Sequence, residues 1–149
     1  MNGLRNRRMI ELAIDNKRAE IINILLICYD HPEIALQEVQ SAKFLAGHMR
    51  KQDFEVTEQL AGMKTAWKGT QKRGTGGPEV CFMAEFDALP VGHACGHHMI
   101  AAMSIGAACS EVTESMFISL TATGSVSQII PMLTLLFQVS EYNYGLHTK

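Results

Sequence analysis

The chain has 149 residues, of which 47% are hydrophobic and 19% are charged, and its net charge is −2 at pH 7. This length suits one folded domain with a hydrophobic core, and the composition excludes a disordered protein. Because the charge is nearly balanced and contains no long basic run, we expect no nucleic-acid partner. The apolar run at residues 129–137 contains Pro131 and is well short of the roughly 20 residues that a spanning helix needs, so no membrane segment is expected.

The cysteine pattern indicates reduced thiols. Cys28, Cys81, Cys95 and Cys109 are widely spaced and form no Cys-x-x-Cys pair. The arginine-rich start is interrupted by charged residues before the first apolar segment, and no small-residue cleavage site follows, so we identify no secretory leader. Free thiols without a leader are typical of the cytoplasm, where we expect this protein.

The first half of the chain predicts two helices and two strands. Apolar residues recur at helical spacing over residues 9–28 and again over residues 34–51, and Pro32 lies in the connection between the two helices. Residues 54–57 and 65–69 have the composition of strands. The glycine-rich segment at 72–78 lacks the Lys-Ser/Thr ending of a phosphate-binding loop and is interpreted as a turn.

The middle of the chain predicts a buried strand and a buried helix. Residues 80–84 form a continuous apolar run, typical of a strand that is covered on both faces, and residues 98–109 are apolar on nearly every side of a helix. Residues 116–122 predict a further strand. The order of these elements predicts an α/β fold with a partial mixed or parallel sheet and flanking helices, and in such sheets sites form beyond the carboxyl ends of strands.

Side chains that could bind a metal are concentrated directly after the predicted buried strand. Carboxylate, imidazole and thiolate groups are the protein ligands of zinc and its neighbours, and glycines let such ligands converge. Short cysteine and histidine clusters also occur as structural packing or as redox-sensitive thiols in interaction modules, and the residues alone leave this alternative open. The residues concerned are Glu85, Asp87, His93, Cys95, His97 and His98.

Two motifs in this stretch, AEFDALP and GHACGHH, resemble the co-catalytic metallopeptidases of clan MH, the family of aminoacylase and glutamate carboxypeptidase, in its amidohydrolase and Xaa-Arg dipeptidase branch. The likeness extends from about residue 13 to residue 108. It implies the N-terminal portion of a phosphorylase/hydrolase-like zinc-peptidase catalytic domain. Supporting pieces occur upstream in the expected order: His31-Pro32-Glu33 with Glu38, Phe54-Glu55-Val56, Thr65-Ala66-Trp67 and Gly77-Pro78.

The resemblance implies roles for three residues. Cys95 and His97 match the metal-ligand pair of the family, and Asp87 matches the carboxylate that orients a ligand imidazole. Glu85 stands where other branches of the family place a metal-binding histidine. His93 has no role that we can assign, and His98 replaces an expected asparagine or aspartate.

The chemistry implied by the resemblance is amide hydrolysis with a divalent metal, with zinc as the first expectation and manganese or cobalt as alternatives. The expected substrates are small molecules, namely N-acyl amino acids or dipeptides. A two-metal site is expected only in a full-length relative. The general base of the family is one of two adjacent glutamates after the Cys-Gly-His motif, whereas the only acidic residues of this chain beyond His98 are Glu111, Glu114 and Glu141.

Because the likeness fades after about Ser110, we expect residues 1–110 to be the N-terminal part of a catalytic domain and residues 111–149 to be a divergent or truncated segment. The first functional hypothesis is a metal-dependent amidohydrolase or dipeptidase. The alternative is a non-catalytic truncated homologue or a metal-binding interaction module, and two protein ligands favour a non-catalytic chain because zinc normally takes three or four. An incomplete sheet would leave an open strand edge, which predicts self-association.

Overall fold

A computed structural model describes residues 2–77, 79–110 and 116–124. Residues 111–115 and 125–149 lie outside the described residues, and with them Glu111, Glu114, Glu141 and the apolar run at 129–137. The helices and strands are, in chain order, α1 (Asn2–Asn16), α2 (Arg18–Asp30), α3 (Val39–Lys51), β1 (Glu55–Glu58), a short 3-10 turn (Leu60–Gly62), β2 (Trp67–Arg73), β3 (Glu79–Glu85), α4 (His97–Cys109) and β4 (Met116–Thr123).

The four strands form one mixed sheet in the order β1-β2-β4-β3. β1 and β2 form an antiparallel pair, β2 pairs antiparallel with β4, and β3 pairs parallel with β4. α3 packs against β1 and β2, whereas α4 packs against β3 and β4 and also contacts α2. The α/β fold with a mixed sheet and flanking helices is confirmed.

The core lies between these helices and the sheet. Trp67 of β2 and Leu45 of α3 are at most 1% exposed, and Ile105 of α4 and Ile24 of α2 belong to the same buried cluster. Burying large apolar side chains in this way is the main favourable contribution to folding. The core therefore joins α2, α3 and α4 to the strands as one unit.

The helix predicted over residues 9–28 is divided at Lys17. α1 ends at Asn16 and α2 begins at Arg18, and the ammonium group of Lys17 donates to the Gln52 side chain at 2.6 Å. Ile10 of α1 is 47% exposed, whereas Ile24 and Cys28 of α2 are buried. The apolar spacing is continuous in sequence, but only the α2 part of it faces the core.

The helix predicted over residues 34–51 begins later, at Val39. Leu36 has a left-handed backbone with φ 70°, which ends any helix that starts before it. The carboxylate of Glu33 accepts the backbone N–H groups of Gln40 and Ser41 at 3.1 and 2.7 Å. These N–H groups lie in the first turn of α3 and need such a partner, so Glu33 fixes where the helix begins.

Two burial predictions were wrong for the described part of the chain. The strand β3 pairs only with β4 there, and Cys81 and Met83 are exposed, so β3 is not covered on both faces. α4 is buried on one side only, because Met99 and Met103 are 46% and 62% exposed. Apolar composition without periodicity marked both elements as buried, but it does not tell how many faces are covered.

Candidate metal centre

Residues 86–96 connect β3 to α4 and lie beyond the carboxyl end of β3, where the parallel strand β4 also ends. The Asp87 N–H donates to the Gly124 carbonyl at 3.1 Å, and the Ala88 N–H donates to the Glu33 carbonyl at 2.7 Å. The loop is therefore held on one side by the end of β4 and on the other by the connection between α2 and α3. This is the edge of the sheet where a site was expected.

Glycines allow the chain to turn back between Asp87 and α4. Gly92 and Leu89 exchange two backbone hydrogen bonds of 2.8 and 3.0 Å, and Gly92 has φ 96°. Gly96, with φ 78°, directly precedes the first residue of α4. Because side chains with a Cβ rarely adopt such positive angles, these two glycines make the tight path between Asp87 and α4 accessible.

The imidazole of His97 lies between two carboxylates. Its Nδ1 donates to Oδ1 of Asp87, and its Nε2 lies 3.3 Å from Oε2 of Glu85. Since an ionised carboxylate only accepts, a proton on Nδ1 satisfies the contact with Asp87, and Nε2 is the nitrogen that faces Glu85. Asp87 is 5% exposed, so its contact with His97 is shielded from water.

The distance between His97 and Glu85 suits a shared cation. Two ligands of a tetrahedral zinc ion with bonds of about 2.0–2.1 Å lie roughly 3.3–3.4 Å apart, and the Nε2 to Oε2 separation is 3.3 Å. The carboxylate and imidazole are both suitable zinc ligands. Glu85, to which no role was assigned from the sequence, is therefore a candidate ligand beside His97.

Cys95 contacts the backbone of Asp87, the residue that binds His97. Its side chain is exposed, and its Sγ is 3.7 Å from the backbone carbonyl of Asp87. Within residues 2–77, 79–110 and 116–124, no group of three or more histidine, cysteine, aspartate or glutamate side chains is arranged to hold a metal ion. The described residues thus place two candidate metal donors together, His97 Nε2 and Glu85 Oε2, and the thiol of Cys95 lies on the same loop.

His93 anchors the loop to α2. Its Nε2 lies 2.8 Å from the Cys28 carbonyl, and because a carbonyl only accepts, this nitrogen donates. The same carbonyl also accepts the N–H of His31 where α2 ends. Sequence reasoning found no role for His93 because its partner is a backbone atom 65 residues away, for which no motif exists.

His98 packs against other rings. Its ring centroid lies 4.5 Å from that of His93 and 5.5 Å from that of Tyr29, and the side chain is buried. Burial lowers the pKa of His98, and the charges of His93 and His97 act in the same direction. The three rings therefore join the loop and the start of α4 to the end of α2.

The four thiols divide into two classes. Cys28 and Cys109 are buried, and burial raises the pKa of each to about 11. Cys81 and Cys95 are exposed. Because the thiolate is the nucleophile and the metal ligand, only the two exposed cysteines are available for metal binding or modification.

Several known proteins are similar to this chain. It is 32% identical to thermostable carboxypeptidase 2 of Saccharolobus solfataricus, over 73% of this chain and 32% of the relative. It is 29% identical to one of the subunits of p-aminobenzoyl-glutamate hydrolase of Escherichia coli, over 68% of this chain and 24% of the relative. The chain thus spans about a quarter to a third of the length of the curated relatives that it matches. No family model matches the chain.

The fold agrees with these relatives. The crystal structure of a dinuclear metal-binding peptidase of the M20 family from Bacillus subtilis superposes with a TM-score of 0.68 at 20% identity, covering 81% of this chain and 41% of that protein. No helix in the described part of the chain is long and apolar enough to cross a membrane. Over the part that it shares with these relatives, the chain belongs to the co-catalytic metallopeptidase family of aminoacylase and glutamate carboxypeptidase.

Proposed function

We propose that this chain supplies part of the metal centre of an amide-hydrolysing metallopeptidase, with His97 and Cys95 as ligands of a divalent cation, Glu85 as a further ligand, and Asp87 as the residue that orients His97. The observation that carries the proposal is the position of His97 between Asp87 and Glu85, with Nδ1 facing Asp87 and Nε2 facing Glu85. The substrate class is an N-acyl amino acid or a dipeptide. The names of the relatives, a carboxypeptidase and a p-aminobenzoyl-glutamate hydrolase, support that class.

The chemistry assigns separate tasks to these residues. A bound divalent metal polarises the amide carbonyl and lowers the pKa of a bound water. Asp87 holds the proton on Nδ1 of His97 and thereby keeps Nε2 available and correctly oriented. Zinc suits the imidazole, thiolate and carboxylate donors, and manganese and cobalt are the alternatives to be compared in the assay.

A second candidate function is a non-catalytic homologue that binds metal weakly. The described residues favour it in one respect, since they contain no group of three ligands arranged around a common point. The two candidates differ in one assay, which is hydrolysis of N-acyl amino acids and dipeptides with added zinc, manganese or cobalt. Metal-dependent turnover that is lost in Cys95→Ala establishes the enzyme; absence of turnover with every metal leaves metal binding alone.

Metal binding itself is tested by thiol protection. Cys95 and Cys81 are both exposed, but only Cys95 lies beside Asp87, so zinc is expected to slow alkylation of Cys95 and to leave Cys81 unchanged. Cys28 and Cys109 should react only after unfolding, because they are buried and their pKa values are raised to about 11. Equal alkylation rates of Cys95 with and without metal would exclude coordination and support an exposed thiol in an interaction module.

A pair of aspartate variants tests the orienting role. Asp87→Asn removes the carboxylate that accepts from His97 and is expected to weaken zinc binding about 10- to 100-fold, as is usual for the partner of a ligand histidine. Asp53→Asn is the matched control, because Asp53 is exposed in the connection between α3 and β1. Equal zinc affinities for the two variants would contradict the role of Asp87.

The setting of the protein completes the proposal. We place it in the cytoplasm, since its four cysteines are free thiols. We also propose that the purified chain self-associates, because Met83, Met99 and Met103 expose apolar surface beside the edge strand β3 in the described part of the chain.

The division of the sequence near residue 110 stays a prediction. The strand expected at 116–122 is present as β4 and belongs to the same sheet.

A further inference from the structure

Glu38 is a fully buried carboxylate that the proposed chemistry does not use. It is 0% exposed and directly precedes α3. The Leu36 N–H donates to its Oε1 at 2.5 Å, and its Oε2 has no hydrogen-bond partner among the described residues. A buried carboxylate that is incompletely paired destabilises the folded state, so its presence here calls for a compensating role.

The surroundings of Glu38 also act on its charge. Burial raises the pKa of its carboxyl, hydrogen bonds from its own amide, the Thr65 side chain and the Leu36 amide oppose the rise, and the negative charge of Asp87 adds to it. Glu38 lies against Gly124 at the end of β4, and therefore at the same end of the sheet as the loop of residues 86–96.

Gly124 at the end of β4 lies against the Glu38 carboxylate. A Cβ added to Gly124 would lie 1.8 Å from Oε1 and 2.2 Å from Cδ of Glu38, which leaves no space for any side chain there. The carbonyl of the same glycine accepts the N–H of Asp87 at 3.1 Å. One continuous set of contacts thus runs from Glu38 to Gly124, then to Asp87, and from Asp87 to Nδ1 of His97.

We propose that Glu38 is a positioning residue for Asp87: its side chain fills the space against Gly124 and so holds the Gly124 carbonyl where the Asp87 amide binds it. The positioning of Asp87 by Glu38 does not depend on the proposed metal site. Only its consequence for His97, which Asp87 orients, rests on that proposed function. Glu38 acts through its packing contact with Gly124 and by accepting the Leu36 N–H, and the charge of its carboxylate is not needed. We therefore expect Glu38→Gln to keep the position of the Asp87 amide and Glu38→Ala to lose it.

The first test needs no metal. Hydrogen exchange of the Asp87 amide is compared in the full chain with Glu38, with Glu38→Ala and with Glu38→Gln. Losing one hydrogen bond of ordinary strength should make the Asp87 amide exchange about fivefold faster or more in Glu38→Ala. The amide of Leu120, in the middle of β4, reports general loosening, so the effect counts only where Asp87 accelerates more than Leu120.

Two further variants make this comparison specific. Gly124→Ala forces a side chain into the space of the Glu38 carboxylate and should accelerate the Asp87 amide in the presence of Glu38 but much less in Glu38→Ala, where the space is open. Glu58→Gln is the matched control, because Glu58 is half-exposed and pairs with Arg50 on α3, and it should leave the Asp87 amide unchanged. Unchanged Asp87 exchange in both Glu38→Ala and Gly124→Ala overturns the proposal, and so does an equal acceleration in Glu38→Gln and Glu38→Ala.

Zinc titration then links the contact to the metal centre. Glu38→Ala should bind zinc about 10- to 100-fold more weakly than the unmodified chain, the range usual for partners of metal ligands, while Glu38→Gln should bind close to normally. If the unmodified chain binds no zinc, the proposed metal site fails, and the exchange experiment still decides the role of Glu38. If Glu38→Ala accelerates Asp87 exchange but leaves zinc affinity unchanged, the extension from Asp87 to His97 is overturned.

Discussion

Two helical glycines, Gly106 in α4 and Gly47 in α3, allow the packing between α2 and α4 to be tested within one chain. Gly106 lies in α4 where it faces α2, and an added Cβ would lie 2.6 Å from Cδ1 and 2.8 Å from Cγ1 of Ile21. Gly47 lies inside α3, and an added Cβ there would have nothing within 4 Å. Replacing each glycine by alanine therefore separates the backbone effect, which both share, from the packing effect, which only Gly106 has.

The expected free energies follow from these distances. Alanine in a helix interior is favoured over glycine by about 0.5–1 kcal/mol, so Gly47→Ala should raise the free energy of unfolding by that amount. In Gly106→Ala the same gain is opposed by overpacking against Ile21, which typically costs about 1–3 kcal/mol. We therefore expect Gly106→Ala to be less stable than Gly47→Ala by about 1–3 kcal/mol.

The assay is urea unfolding followed by the fluorescence of Trp67, which is the only tryptophan and is 1% exposed. Ile21→Ala supplies the control, because it removes the atoms that Gly106→Ala would meet. In that background the alanine at position 106 should become stabilising. Equal stabilisation by Gly47→Ala and Gly106→Ala in the unmodified chain would refute the close contact between α2 and α4.

Two other predictions concern pH and association. Burial raises the pKa of Glu38 above its ordinary value of 4.5, so between 4.5 and the raised value the folded state binds more protons than the unfolded state, and the free energy of unfolding falls as pH rises. Urea unfolding at a series of pH values should show this slope in the unmodified chain and lose it in Glu38→Gln. An unchanged slope in Glu38→Gln would contradict the assignment to Glu38. Met103→Glu places a charge on the exposed side of α4 and should shift sedimentation toward the monomer, whereas a sharp monomer peak and a cooperative melt of the unmodified chain would count against self-association.

Elements with local signals could be predicted from the sequence. The apolar stripe of α3, the small apolar residues of α4 and the strand β4 all depend on neighbours within a few positions, and each was found near its predicted place. The break at Lys17 and the late start of α3 were not predicted. Polar contacts occur at both places, from Lys17 to Gln52 and from the first turn of α3 to Glu33, and the periodicity of apolar residues does not predict such contacts.

The candidate site shows the same division. The motif spacing identified the loop that follows β3, and the resemblance suggested the contact between Asp87 and His97 that the structure contains. The proximity of Glu85 to Nε2 of His97 was not predicted, because it depends on how the loop folds back over the strand end. The anchoring of His93 on Cys28 and the contact of Glu38 with Gly124 were missed because their partners are backbone groups far away in sequence.

The position of β4 determines the order in which the sheet can assemble. β2 and β3 follow each other in the chain but do not pair, because β4 lies between them. During synthesis, residues 55–73 and 79–109 emerge before residues 116–123, so β2 and β3 each have an unpaired edge until β4 pairs with them. Such long-range pairing is slow. Since the Asp87 amide binds the Gly124 carbonyl, the loop of residues 86–96 reaches its final shape only at that step. The proposed metal site can therefore form only after β4 has joined the sheet.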